Sequence, residues 1–88
     1  MAAPEDRPKI VSTIVARLHE VLPDISTGEE LTEGRNLREY PSFDSLGILE
    51  TLVWLEATFE VTIPDEELVV DRFDSVGKMA DYVIAHRG

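Results

Sequence analysis

The chain contains no cysteine. Disulfides, thiol nucleophiles and cysteine-ligated metals are therefore excluded. Histidine is nearly absent as well, and His19 and His86 are too few and too far apart in sequence to build a zinc site alone. No apolar run approaches the roughly 20 residues that a membrane span needs. The start, Met1 to Arg7, lacks the apolar stretch of a signal peptide. A soluble cytoplasmic protein is the expectation. Bases are scarce: eight Lys and Arg face eighteen Asp and Glu, for a net charge of −10. That sign argues against nucleic acid, whose phosphates demand Lys and Arg, and against anionic membranes. Disorder throughout is excluded in turn, because 43% of the residues are hydrophobic. With 88 residues, one domain spanning 1–88 with a small core is expected.

The acids are not spread evenly. From Asp44 to Asp71 there are eight acids and no base, whereas the first twenty residues balance three against three. Even spreading would serve solubility alone. Concentration on one segment points to a surface that basic partners read.

The periodicity is helical. From Pro8, the residues Ile10, Val11, Ile14, Val15, Leu18, Val21 and Leu22 recur at spacings of three and four, predicting a helix over about 8–21 that stops at Pro23. Residues 23–43 hold Pro23, Gly28, Gly34, Asn36 and Pro41, with apolar anchors at Ile25, Leu31 and Leu37. This reads as a long pinned loop with at most one short turn. Asp44 and Ser45 are both suitable N-caps for a second helix running to Phe59. Val61-Thr62-Ile63 is too short and isolated to make a sheet. After Pro64, the acids Asp65, Glu66 and Glu67 suit the first turn of a short third helix. Asp74-Ser75 opens a last helix through Val76, Met79, Ala80, Val83 and Ile84. The expected class is all-α: three main helices, one short helix and a long first loop, forming a four-helix bundle.

Two pentapeptides echo each other thirty residues apart, Phe43-Asp44-Ser45-Leu46-Gly47 and Phe73-Asp74-Ser75-Val76-Gly77. Their flanks differ, so both read as helix starts preceded by an apolar residue rather than as a repeat. On the second helix, Ile48, Leu52, Leu55 and Phe59 share one face, the core face. Leu46, Leu49 and Val53 fall largely off it, and Glu50 and Glu56 lie among them. Apolar residues that dock and acids that steer form a candidate partner-docking surface. A broad core-facing side is the competing explanation. Ser45 has no His or Lys nearby in sequence to activate it, so no catalytic residue is expected there. Paired carboxylates such as Glu66 and Glu67, or Asp44 and Glu50, have no evident pocket in which to act. Asp65-Glu66-Glu67 lacks the alternation and central glycine of a calcium loop, so no metal site is expected. An acidic helical interaction module without a prosthetic group remains open on these grounds.

Phe43-Asp44-Ser45-Leu46 opening an acidic helix, then Phe59-Glu60-Val61-Thr62-Ile63-Pro64-Asp65-Glu66, closely resembles the acyl carrier protein family over roughly residues 8–86. Asp-Ser-Leu at the start of the second helix is the family hallmark, here Asp44, Ser45 and Leu46. The resemblance implies that Ser45 receives a 4′-phosphopantetheine arm from coenzyme A through a phosphopantetheinyl transferase. The thiol of that arm would carry acyl groups as thioesters to partner enzymes. The implied partners are the transferase, an acyl- or aminoacyl-loading enzyme and synthases with basic docking patches; a monomer is expected. Phe43 stands where many members have glycine, Gly47 where many have a larger or charged residue, and Trp54 at a position often smaller. These departures resemble stand-alone carriers of polyketide or mixed peptide–polyketide biosynthesis more than fatty-acid carriers.

Overall fold

The apolar stripe of the first segment winds into a helix whose buried residues follow a four-residue step. In the computed structural model, which describes residues 6–26 and 28–86 without the side chains of Asp6, Val70 and Asp71, helix α1 runs Asp6–Val21. Ile10, Ile14, Leu18 and the following Leu22 are buried, and Val11 and Val15 pack beside them. Pro8 lies within the first turn, where its missing N–H costs nothing. The signal-peptide argument on Met1 to Arg7 rests mostly on residues 1–5, outside the described residues. The base-free segment's last acid, Asp71, has a side chain outside the description too.

The loop from Leu22 to Asp44 is held at both ends and from within. Ile25, Leu31, Leu37, Tyr40 and Phe43 are buried. The Asp24 carboxylate accepts the Ser42 N–H at 2.7 Å, closing the loop on itself just before the second helix. The Tyr40 hydroxyl donates to Glu29, which also accepts the Ser26 N–H. A single 3₁₀ turn, Leu37–Glu39, is opened by Asn36, whose side chain accepts from Arg38 N–H. The Leu37 N–H then donates to the Asp74 carbonyl at 2.7 Å, tying the loop to the last helix. Gly28 supplies a positive φ of 86° that few other residues tolerate.

Helix α2 runs Ser45–Phe59 and α3 runs Val76–His86. The expected short third helix forms instead as two 3₁₀ turns, Asp65–Glu67 and Val70–Phe73. Between them Val69 is exposed and Leu68 only partly buried, so no continuous apolar face repays the cost of nucleating an α-helix. Asp65, Glu66 and Glu67 do occupy a first turn, though a 3₁₀ one. All regular structure among the described residues is helical. The fourth position of the expected bundle is filled by the 3₁₀ pair, whose second turn packs against α2 and α3, while α1 packs on α3. Leu52 and Leu55 of α2 join Phe73, Val76, Met79 and Val83 in the same core. Phe59, expected in that core, is only half-buried and meets Trp54 edge-on at 6.0 Å.

Candidate functional site

The two pentapeptides start their helices one residue out of step. Asp44 is the N-cap of α2: its Oδ1 accepts the Gly47 N–H at 2.9 Å, and its carbonyl accepts the Ile48 N–H. In the second copy the same two bonds belong to the serine. Ser75 Oγ accepts the Lys78 N–H at 3.2 Å, and the Ser75 carbonyl accepts the Met79 N–H. Asp74 pairs with Lys78 instead. Ser75 is thus spent on its helix and only 8% exposed, whereas Ser45 is the first helical residue and exposed. Of the two N-caps read from sequence at this helix, Asp44 is the cap and Ser45 is not.

Loop carbonyls lie close against both helix starts, and the Glu33 carbonyl accepts the Gly77 N–H at 2.9 Å. A Cβ at Gly47 would lie 3.0 Å from the Ser42 carbonyl oxygen, and one at Gly77 3.0 Å from that of Glu33. Glycine at the fifth position of each pentapeptide lets the loop backbone pack against the first turn. Asp24, through Ser42, therefore helps to place the approach to Ser45.

The site accommodates a phosphodiester. The Ser45 and Leu46 amides are the first two of α2 and have no helical acceptor. The dipole end they form favours negative charge, so a phosphate on Ser45 Oγ would meet open donors. The Ser45 hydroxyl itself makes no hydrogen bond among the described residues.

Along α2, Ile48, Leu52 and Leu55 are buried, joined by Thr51, whose hydroxyl donates to the Gly47 carbonyl. Leu46 and Val53 are each 64% exposed and Leu49 44%, with Glu50 exposed among them. Glu56 departs from the docking role assigned to it. It is half-buried, and its Oε2 accepts the Ile63 N–H at 2.9 Å, holding the segment that follows α2. Glu50, Glu60, Asp65 and Glu66 make no ion pair among the described residues. The bases are engaged elsewhere: Arg7 with Glu33 and Asp81, Arg35 with Glu39, Arg72 with Glu67.

Sequence reasoning missed Arg17. It lies beside the apolar stripe of α1 and carries no spacing signal. In the structure its guanidinium sits over the Trp54 ring, 5.6 Å from the centroid, on the wall of a cleft between α1 and α2. Asp24 was equally silent, because its partner Ser42 is eighteen residues away. Among the described residues no cluster of His, Asp and Glu could hold a metal ion, and no helix is long and apolar enough to cross a membrane.

The comparisons with known proteins agree with this geometry. Residues 11–83 match the family described as the phosphopantetheine attachment site. The chain is similar to the acyl carrier protein of Rubrobacter xylanophilus, 33% identical over 76 residues that cover 84% of this chain and 91% of that protein. It is similar over 43 residues to the acyl carrier protein of Clostridium acetobutylicum, 42% identical across 49% of this chain and 53% of the other. Among solved structures it is similar to a Toxoplasma-specific mitochondrial acyl carrier protein, with a TM-score of 0.73 and 28% identity, covering 99% of this chain and 97% of that one. The chain belongs to the acyl carrier protein family, whose prosthetic group is phosphopantetheine and whose members carry acyl groups rather than catalyse their reactions.

Proposed function

We propose that Ser45 is the residue that bears the 4′-phosphopantetheine arm, transferred from coenzyme A by a separate phosphopantetheinyl transferase. The observation that carries this reading is the contrast between the two serines: Ser45 exposed on the first turn of α2, Ser75 buried and bonded to its own helix. Asp44 shapes the helix start, and Leu46 lies beside the modified position. The chain has no cysteine, so the arm would supply its only thiol.

The carrier role answers the choice left open between a carrier and an interaction module without a prosthetic group. Docking is assigned to Leu46, Leu49 and Val53, steered by Glu50 and by the exposed acids after α2. These would meet basic patches on the transferase, on an acyl- or aminoacyl-loading enzyme and on synthases. The pathway reading is a monomeric, cytoplasmic carrier of polyketide or mixed peptide–polyketide biosynthesis. Phe43 supports it: the residue that replaces glycine is 2% exposed and part of the core.

Intact mass after incubation with coenzyme A and a promiscuous transferase tests the site. The wild type and Ser75→Ala should gain one arm, and Ser45→Ala none. A mass gain in Ser45→Ala, or its loss in Ser75→Ala alone, overturns the assignment. Competition between polyketide-type and fatty-acid-type loading enzymes for the holo protein tests the pathway.

A further inference from the structure

Asp24 follows α1 and stands between buried Leu22 and Ile25, whose backbones bond to each other at 3.2 Å. Its backbone is therefore anchored at the core while its side chain lies on the surface. That carboxylate reaches eighteen residues forward to accept the Ser42 N–H at 2.7 Å. Leu37, Tyr40 and Phe43 already pin this end of the loop by burial. What Asp24 adds is a fixed backbone at Ser42, which is itself only half-buried. The Ser42 carbonyl oxygen then lies against the first turn of α2, where a Cβ at Gly47 would be 3.0 Å away. The Phe43 N–H bonds to the Tyr40 carbonyl at 2.9 Å, and Asp44 leaves in an extended conformation to cap α2.

Ser45 depends on this support more than Ser75 does. Ser75 Oγ is held by its own bond to the Lys78 N–H. Ser45 Oγ makes no hydrogen bond among the described residues, so its place is set by the backbone on either side. Helix α2 holds the far side, and the loop up to Ser42 holds the near side. We propose that Asp24 is a positioning residue for arm transfer: its bond to Ser42 keeps the run-up to α2 against Gly47 and so presents the Ser45 hydroxyl in one place. The role rests on Ser45 as the attachment residue. In the transfer the Ser45 oxygen bonds to the β-phosphorus of coenzyme A and its proton passes to a base on the transferase. The P–O bond to the departing adenosine 3′,5′-bisphosphate breaks. Such a step is sensitive to placement, since an error of about 1 Å can cost roughly 10²-fold. Docking is carried by exposed side chains of α2, so Asp24 acts on kcat and not on KM.

The test follows arm transfer by intact mass with coenzyme A and a phosphopantetheinyl transferase. Asp24→Ala removes the acceptor and should lower kcat roughly three- to tenfold with KM for the carrier unchanged. Asp24→Asn removes the charge but keeps an acceptor, and should restore most of the lost kcat. In the apo proteins, hydrogen exchange at the Ser42 amide should be faster in Asp24→Ala and close to wild type in Asp24→Asn. Gly47→Ala presses on the same Ser42 carbonyl from the helix side and should also lower kcat. In the Asp24→Ala background the loop can give way, so the double variant should be no slower than the slower single variant. Wild-type kcat in Asp24→Ala, an Asp24→Asn as slow as Asp24→Ala, or a deficit confined to KM that fades with salt overturns the positioning role. Losses that multiply in the double variant overturn it too. Wild-type kcat in Gly47→Ala does the same, even if Asp24→Ala fails to fold. Each of these leaves Ser45 as attachment residue standing while Ser45→Ala gains no mass. A mass gain in Ser45→Ala overturns the attachment reading first, and the positioning role with it.

Discussion

Ser45 and Ser75 show how a one-residue offset in helix start separates an exposed serine from one spent on its own helix. The capping bond belongs to Asp44 in one copy and to Ser75 in the other. Losing a cap costs about 1 kcal/mol, or roughly 4–8 °C in a domain of this size. Asp44→Ala and Ser75→Ala should therefore lower the melting temperature by about that much. Ser45→Ala should stay within about 0.5 kcal/mol of the wild type, as exposed substitutions do. A drop in Ser45→Ala equal to that in Asp44→Ala would place the cap on the wrong residue. Glu29 and Tyr40 carry a different kind of information, about pH. The Tyr40 hydroxyl, and then the Ser26 N–H, hold the Glu29 carboxyl below its ordinary 4.5. A lowered carboxyl stabilises the fold fully above 4.5, and that stability is lost as pH falls through the folded value. The Glu29 bond, and then burial, raise the Tyr40 phenol above 10.0. Burial first, and the Glu67 bond second, push Tyr82 up to about 12. A raised phenol contributes fully below 10.0 and loses its contribution as pH rises through its folded value. In urea melts taken from neutral pH into the range below 4.5, Tyr40→Phe should lose less stability than the wild type. Parallel acid limbs would show that the bond contributes nothing.

In α2 a buried face that bears on stability is set against an exposed face proposed for recognition. Leu55 is fully buried, and a large-to-small change at such a site costs about 2–5 kcal/mol. Leu55→Ala should therefore lower the melting temperature by roughly 8 °C or more. Val53 is 64% exposed, so Val53→Ala leaves no cavity and should melt close to the wild type while being modified more slowly by the transferase. Equal destabilisation of the two variants would mean that the outer face is not free. The end of α2 holds a second test. Glu60 closes the helix in the left-handed region, φ 54° and ψ 46°. That conformation costs a residue with a Cβ about 1–2 kcal/mol, and glycine gives back about 0.5–1 kcal/mol in chain entropy. Glu60→Gly should raise the melting temperature by up to a few degrees. A lower melting temperature would show that the Glu60 side chain repays its own strain.

Across the surface, Glu60, Asp65 and Glu66 face solvent without an ion pair among the described residues, while Glu67 beside them is paired with Arg72, so the acidic charge is concentrated rather than spread. Concentrated charge acts chiefly on encounter rates. Glu50→Lys should slow modification at low salt, and the deficit should shrink as salt shortens the Debye length, about 10 Å at 0.1 M. Rates unchanged at low salt would remove the steering role. Glu56→Lys is the poorer probe, since it also breaks the bond to Ile63.

The all-α class, the buried stripe Ile10, Ile14, Leu18 and Leu22, the core face of α2 and the Asp44-Ser45-Leu46 motif were legible in the residues alone. Each rests on spacing within one segment, and helical period turns spacing directly into a face. That the short helical element is a 3₁₀ pair was not legible, because acids after Pro64 announce a helix start without saying whether an apolar face follows. Which residue of each Asp-Ser pair caps its helix depends on where the loop backbone lands, Ser42 against Gly47 and Glu33 against Gly77. The engagement of Glu56 by Ile63 needs the chain to turn back after α2. The burial of Arg17 Nε over Trp54 needs the tertiary fold to bring one side chain of α1 across to α2. Those contacts join residues apart in sequence, so their energies belong to the folded arrangement and leave no periodic trace in the chain.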